Sequence, residues 1–171
     1  MESKIIIQNV ERFVALILAQ LLILNNVNIS GFAIPYLYVL FILMLPTDTP
    51  RNWMLLLSFL CGLSMDIFSN MLGFHSFACT LVAMMRILFA DKILTRNEGV
   101  TITTPSIHTV NPQSYIVYLL VLLLIFYFTF FLLELFDRHE MWQILLSAVL
   151  STILTGLLAL MVQFLFIKRN K

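Results

Sequence analysis

The fold is decided by residues 62–75, which read GLSMDIFSNMLGFH. This stretch joins two apolar runs between Trp53 and Ala90, and each run is long enough to cross a bilayer as a helix of roughly 17 to 25 residues. Asn70 and Gly73 mark the only plausible turn between the two runs. The sequence therefore predicts a transmembrane helical hairpin that turns at residues 70–73.

A small, polar face runs along the first helix of this hairpin. Ser58, Gly62, Asp66 and Asn70 recur every four residues, which places their side chains on the same side of a helix. Small residues let helix backbones approach closely, and a carboxylate within a membrane nearly always faces protein or water rather than lipid. We therefore expect Asp66 to face the interior of a helical bundle or a partner protein.

The overall composition is that of a polytopic membrane protein. Of 171 residues, 61% are hydrophobic and 11% are charged, and the mean hydropathy is +0.98, which leaves too little polar surface for a soluble domain. The net charge of +1, with no basic cluster before Lys168, argues against nucleic-acid binding. Cys61 and Cys79 lie in apolar runs without metal-ligand spacing, which is typical of small buried residues. We expect a single integral membrane domain over residues 1–171.

Six spans are predicted from the apolar runs and the distribution of basic residues. The second helix, between Pro35 and Pro46, offers only about a dozen apolar residues, so a re-entrant hairpin is the alternative to a full span. A re-entrant segment would place Arg51 and most later basic residues outside, against their tendency to remain in the cytoplasm. Six spans with both termini cytoplasmic leave only Arg138 outside. They place the other basic residues on or toward the cytoplasmic side: Lys4, Arg12, Arg51, Arg86, Lys92, Arg96, Lys168, Arg169 and Lys171.

The other helices are predicted near residues 5–25, 53–69, 74–90, 115–136 and 141–167. The fifth is so rich in Leu, Phe and Tyr that we expect much of it to face lipid. The sixth carries a second stripe of mostly small and polar residues, which we expect to face other helices: Ser147, Ser151, Thr155, Ala159 and Gln163. Residues 95–114 form the one long polar segment, predicted as a cytoplasmic loop that is either a small hairpin or mobile.

Catalytic and metal chemistry find little support in the residue pattern. Several ionisable residues are predicted near the outer face, without the tight helical spacing of metal ligands: Asp66, His75, Glu134, Asp137, His139 and Glu140. An intramembrane protease needs a second membrane aspartate or a facing Ser–His pair. A transport pathway has only Asp66 and Arg86 to mark it, and no paired discontinuous helices are evident.

We therefore expect no catalytic residue, no metal ligand and no cofactor. Asp66 is expected to be structural or to dock a partner, with the structural role favoured over a pathway role. As a structural anchor it should tolerate replacement by Asn but not by Leu, because Leu leaves its hydrogen-bond partners unsatisfied.

One constellation resembles the MreD family of bacterial rod shape-determining proteins: Gly62, Asp66, Gly73 and His75. The similarity covers most of the chain, including its length, five or six helices, and a short second helix that ends at residues 45–46 before Asp48 and Arg51. The long loop at residues 95–114 departs from the family pattern, so cytoplasmic contacts of other members do not transfer to it.

The resemblance implies a non-catalytic scaffold or assembly subunit of the bacterial inner membrane, within the cell-elongation complex (elongasome) that supports peptidoglycan synthesis and cell shape. It implies MreC, the MreB filament, RodA and its transpeptidase as partners, besides membrane lipids, and no small-molecule substrate. It also implies a six-helix fold similar to the S components of energy-coupling-factor transporters, and a vitamin-binding S component is the alternative function. The residues carried as structural or docking candidates are Gly62, Asp66, Asn70, Gly73, His75 and Arg86.

The predicted topology can be tested by cysteine labelling of intact cells. We expect a membrane-impermeant thiol reagent to label Asn28→Cys and Arg138→Cys from outside. Lys4→Cys, Arg96→Cys and Lys171→Cys should react only after the membrane is permeabilised, because the basic residues favour the cytoplasm. Labelling of Arg96→Cys from the outer face would overturn the topology.

Overall fold

The computed structural model of the chain describes residues 2–24, 33–94, 104–135 and 141–166, which are helical with short connections. The helices are α1 (Glu2–Leu22), α2 (Val39–Leu43), α3 (Arg51–Ser69), α4 (Phe74–Leu94), α5 (Pro112–Leu135) and α6 (Met141–Phe166). By length and composition α3, α5 and α6 qualify as membrane spans, and α4 contains a shorter apolar run, Phe74–Phe89. The prediction of an all-α chain is thus confirmed for the described residues, with three helices long and apolar enough to cross a membrane, whereas six full spans remain a prediction.

The second helix is shorter than the sequence predicted. Only Val39–Leu43 is α-helical, and five residues rise about 7.5 Å, far less than the hydrocarbon core of a bilayer. The expectation of a helix that fills the interval from Pro35 to Pro46 was therefore wrong. The late start follows from side-chain caps, because the Pro35 carbonyl accepts a hydrogen bond from Gln20 and the Val39 N–H bonds to the Tyr36 carbonyl, three residues back, rather than to Pro35.

The segment around α2 nevertheless runs in one direction through the bundle. The Tyr38 hydroxyl hydrogen-bonds with His75 Nδ1 in the first turn of α4, whereas the Leu45 carbonyl accepts a hydrogen bond from Arg86. His75 and Arg86 are separated by eleven residues of α4, about 16 Å at 1.5 Å per residue. Residues 35–45, which we call the α2 segment, are all buried. This segment therefore connects the two ends of the bundle through its interior rather than over its surface.

The helices pack around this central segment. Contacts join α3 to α4, α4 to α5, and α5 to α6. The short helix α2 contacts α1, α3, α4 and α5. Backbone groups before α2 are satisfied by side chains from α1 and α6. Gln20 Nε2 donates to the Pro35 carbonyl at 2.9 Å, its Oε1 accepts the Leu37 N–H at 2.8 Å, and Ser151 Oγ accepts the Ile34 N–H at 3.1 Å.

Helix α5 divides its apolar residues between the core and the outer surface, where side chains such as Val117 and Leu124 are exposed, in agreement with the expectation that much of it faces lipid. Half of its apolar window is buried, including Tyr115, Tyr118 and Tyr127, each 0% exposed. A tyrosine hydroxyl needs a hydrogen-bond partner that lipid tails do not provide. Accordingly, Tyr118 donates to the Leu43 carbonyl at 3.0 Å and Tyr127 to the Ile34 carbonyl at 2.8 Å.

The polar stripe on α6 faces the protein, as predicted. All of its members are buried, at 0% to 4% exposure: Ser147, Ser151, Thr155, Ala159 and Gln163. Gln163 Oε1 accepts the Ile107 N–H at 3.2 Å, and its Nε2 donates to the Tyr115 hydroxyl. The hydrogen bond to Ile107 fixes part of the predicted loop 95–114 against α6. Residues 100–103 of this loop lie outside the described residues.

A matched pair of variants on α6 tests whether this stripe stabilises the bundle through its hydrogen bonds. Thr155 Oγ1 hydrogen-bonds with the Tyr127 hydroxyl and accepts the Tyr36 N–H at 3.3 Å, whereas buried Thr152 Oγ1 has no partner among the described residues. We expect Thr155→Val to lower the free energy of unfolding by about 1–3 kcal/mol. Thr152→Val should not lower it. Reversible unfolding in mixed micelles measures both, and equal losses would contradict the assignment.

Candidate functional site

The helices of the central hairpin cross at Gly62, with almost no space between their backbones. A Cβ atom at this position would lie 2.5 Å from the His75 carbonyl oxygen and from Ser76 Cα, and 2.6 Å from Ser76 N. These neighbours are backbone atoms at the start of α4 and cannot move aside as a flexible side chain can. Glycine at 62 therefore lets α3 approach the first turn of α4, in agreement with the small face predicted there.

One turn further along α3, the Asp66 carboxylate binds the same two residues of α4. Its Oδ1 accepts the His75 N–H at 3.0 Å, and its Oδ2 accepts the Ser76 N–H at 2.8 Å and the Ser76 hydroxyl. The first N–H groups of a helix have no partner within it and carry partial positive charge. Asp66, only 3% exposed, thus caps α4 from the neighbouring helix, where Gly73 has no side chain to do so.

The turn between the two helices depends on two residues with positive φ. Asn70 adopts the left-handed conformation (φ 54°, ψ 41°), and the Met71 N–H then bonds to the Asp66 carbonyl at 2.9 Å, as in a Schellman motif. Gly73 follows at φ 92°, a conformation that side chains disfavour. Asn70 is exposed at the end of α3, so its contribution is to the turn rather than to the buried face on which Asp66 lies.

His75 lies within a cluster of aromatic rings and is 0% exposed. Its ring stacks on Phe130 at a centroid distance of 4.5 Å and meets Tyr36 edge-on at 4.9 Å. Nδ1 hydrogen-bonds with the Tyr38 hydroxyl at 2.7 Å, whereas Nε2 has no partner among the described residues. His75 is therefore a packed core residue, joined to Asp66 only through its backbone N–H.

Arg86 is the second charged residue in the interior, at 1% exposure. Its Nε donates to the Tyr118 hydroxyl at 2.8 Å, one terminal nitrogen donates to the Leu45 carbonyl, and the other lies 3.4 Å from the Met54 sulfur. It thereby ties α4 to α3, to α5 and to the end of the α2 segment. Within the described part of the chain it forms no ion pair, so it does not neutralise Asp66.

The structure does not bring the predicted ionisable residues into a metal site. No group of three or more His, Cys, Asp and Glu side chains is close enough to hold a metal among the residues described. Asp66 and His75 are adjacent, and Glu134 is half-buried on α5. Asp137, His139 and Glu140 lie outside the described residues.

Two open clefts on the surface are lined mainly by apolar side chains. The larger, about 460 Å³, lies between α3 and α4 and is lined by Phe59, Leu63, Gly73, Ser76, Phe77 and Thr80. The smaller, about 250 Å³, lies between α5 and α6. Neither is lined by the side chains of Asp66, His75 or Arg86, so these clefts offer no convergent polar groups for chemistry.

The sequence analysis did not identify Gln20 as a residue that binds the backbone just before α2. Gln20 is 0% exposed and binds both the Pro35 carbonyl and the Leu37 N–H. Its only signal in the sequence was a single amide inside the apolar run of the first helix, since a buried amide in a membrane helix needs a partner.

Comparison of the chain with protein-family models, with curated proteins and with solved structures finds no match.

The hydrogen bonds by which Asp66 caps α4 predict how strongly three substitutions should lower the free energy of unfolding. Because both Asp66 oxygens accept hydrogen bonds, Asn places an amide donor against a backbone N–H, so the sequence-based expectation of near-neutrality no longer holds. We expect Ser76→Ala to lower the free energy of unfolding by about 1 kcal/mol, Asp66→Asn by about 1–3 kcal/mol, and Asp66→Leu by more. Unfolding in mixed micelles and membrane abundance provide the measurements. Full stability of Asp66→Asn together with loss of partner binding would instead indicate a docking role.

Proposed function

We propose that this chain is a non-catalytic scaffold or assembly subunit of the bacterial inner membrane that supports peptidoglycan synthesis and cell-shape control. The observation that carries the proposal is that the charged and amide side chains of the core bind the backbone of their own chain. Asp66 binds the start of α4, Arg86 binds the end of the α2 segment, and Gln20 binds its beginning. Such side chains hold the fold together and are not directed at a substrate.

An enzymatic role is less well supported by this arrangement. A catalytic centre needs acid, base or nucleophilic groups that converge on a space where a substrate can react. The buried hydroxyls that have hydrogen-bond partners among the described residues point at carbonyls, amides or other side chains of the bundle, as Tyr118 and Tyr127 do. The two clefts have apolar linings, which suit lipid tails or apolar helix surfaces rather than a polar reaction.

The proposed topology has six spans, with both termini in the cytoplasm. The course of the α2 segment supports it, since Tyr38 lies beside His75 and Leu45 beside Arg86, at well-separated levels of α4. A re-entrant hairpin would instead return to the level at which it began. On this proposal the partners are MreC, MreB, RodA and its transpeptidase, as the resemblance of residues 62–75 to the MreD family implies.

One observation favours a second candidate, a vitamin-type binding subunit of a transporter. The aromatic cluster around His75 combines rings and a buried ring nitrogen without a hydrogen-bond partner, which is a composition typical of ligand sites. The rings of Tyr36, His75 and Phe130 fill this volume themselves, however, with centroids 4.5 to 5.1 Å apart. A ligand would have to displace these contacts, so the scaffold is the better-supported function.

Cross-linking in native membranes discriminates between the two candidates. We expect a tagged chain at its native level to be recovered with MreC and with the enzymes of peptidoglycan elongation, and its depletion to round the cells. The control is a tagged, unrelated polytopic protein at the same abundance. Recovery with an ATP-driven coupling module, together with a small molecule detected by native mass spectrometry, would contradict the proposal and support the binding subunit.

A further inference from the structure

Helix α1 presents an exposed face on the outside of the bundle. Of its described side chains only Ile17 and Gln20 are buried, and the helix packs against α2 and α3. On its outer side, residues spaced three or four apart form a continuous apolar stripe, 47% to 74% exposed: Ile7, Val10, Val14, Leu18 and Leu22. We call these five residues the α1 stripe.

A single carboxylate lies within the α1 stripe. Glu11 is exposed, and it follows Ile7 by four residues and precedes Val14 by three, so it shares their side of the helix. It is close to the middle of α1, and its near neighbour Phe13 packs edge-on against Phe41 of the buried α2 at 5.2 Å. Glu11 therefore lies level with the core of the bundle rather than beyond the end of the helices.

No ion pair among the described residues compensates the charge of Glu11. The side chains beside it on the stripe are apolar. An acidic side chain within a membrane span is costly against lipid and is nearly always paired or turned toward protein. A lipid-covered α1 stripe would leave this cost unrelieved.

We propose that the α1 stripe binds a transmembrane helix of a partner protein, and that Glu11 pairs there with a Lys or Arg of that helix. This inference rests on the proposed function, in that it assumes a subunit of a larger membrane assembly. The apolar residues on either side of Glu11 match the apolar face of a helix, and the single carboxylate selects the partner by its opposite charge. A symmetric pair of parallel α1 helices from two copies of the chain is disfavoured. Each stripe residue would then lie opposite its own counterpart, so the two Glu11 carboxylates would face each other.

Photo-cross-linking in native membranes tests this surface. A photoreactive residue is placed at Val14 of the full-length chain, and a control is placed at Leu157, which is 58% exposed on α6. We expect the Val14 probe to capture a transmembrane helix that carries a basic residue, identified by mass spectrometry, and the Leu157 probe not to capture it.

Charge variants test the pairing itself. Glu11→Lys should lower the yield of this adduct about tenfold, the size expected for an interhelical polar contact in a membrane. The matched control is Asp48→Lys, which makes the same charge change at an exposed residue after α2 and should leave the yield unchanged. Exchange of the partner's basic residue for Glu should restore the adduct with Glu11→Lys. If Glu11→Lys does not insert stably, Glu11→Gln, compared at equal membrane abundance, should give a smaller loss.

Several outcomes would overturn the inference. Adducts of the Val14 probe with lipid alone or with a second copy of the chain would show that no partner helix covers the α1 stripe. An adduct whose yield is the same with Glu11→Lys or Glu11→Gln would show that the charge plays no part. If elongation proteins still co-purify in either case, the proposed function stands without this surface. Capture of a basic helix from a transporter module would keep the surface and refute the proposed function.

Discussion

The requirement that backbone polar groups find partners inside a membrane protein governs the centre of this bundle. The residues before α2 are not helical, so their N–H and C=O groups lack the partners that a helix provides. Side chains from four helices supply them at the two ends of the segment: Gln20, Tyr127, Ser151 and Thr155 at the beginning, and Tyr118 and Arg86 at the end. The surrounding helices are thus held in place through a shared segment that each of them partly caps.

The hairpin of α3 and α4 follows the same rule through a pair of residues one turn apart. Gly62 removes the atoms that would separate the two backbones, and this close approach brings the Asp66 oxygens within 3.0 Å of the His75 and Ser76 N–H groups. A larger residue at 62 would also draw the carboxylate away from the N–H groups that it caps. Substitutions at 62 and 66 should therefore not be additive, because each removes part of the condition on which the other depends.

The parts of this structure that follow a local rule could be predicted from the sequence. The hairpin, the buried face at Asp66 and the α6 stripe follow from helical spacing and from the cost of polar groups in lipid. The late start of α2 could not be predicted in the same way, since its caps come from distant positions such as Gln20 and Tyr127. The buried side of α5 was hidden because its two faces are almost equally apolar, so only the tyrosines distinguish them.

The two charged side chains buried in the described core, Asp66 and Arg86, both find backbone partners within their own chain. Asp66 accepts hydrogen bonds from N–H groups at the start of α4, and Arg86 donates to a carbonyl just beyond α2 and to the Tyr118 hydroxyl. Helix ends expose such groups without partners, so each charged side chain satisfies a helix end while the backbone compensates its charge. Among the described residues, the exposed carboxylate of Glu11 has no such arrangement. The charges of the core are thus compensated from within, whereas Glu11 on α1 is a surface charge whose compensation would have to come from outside the described residues.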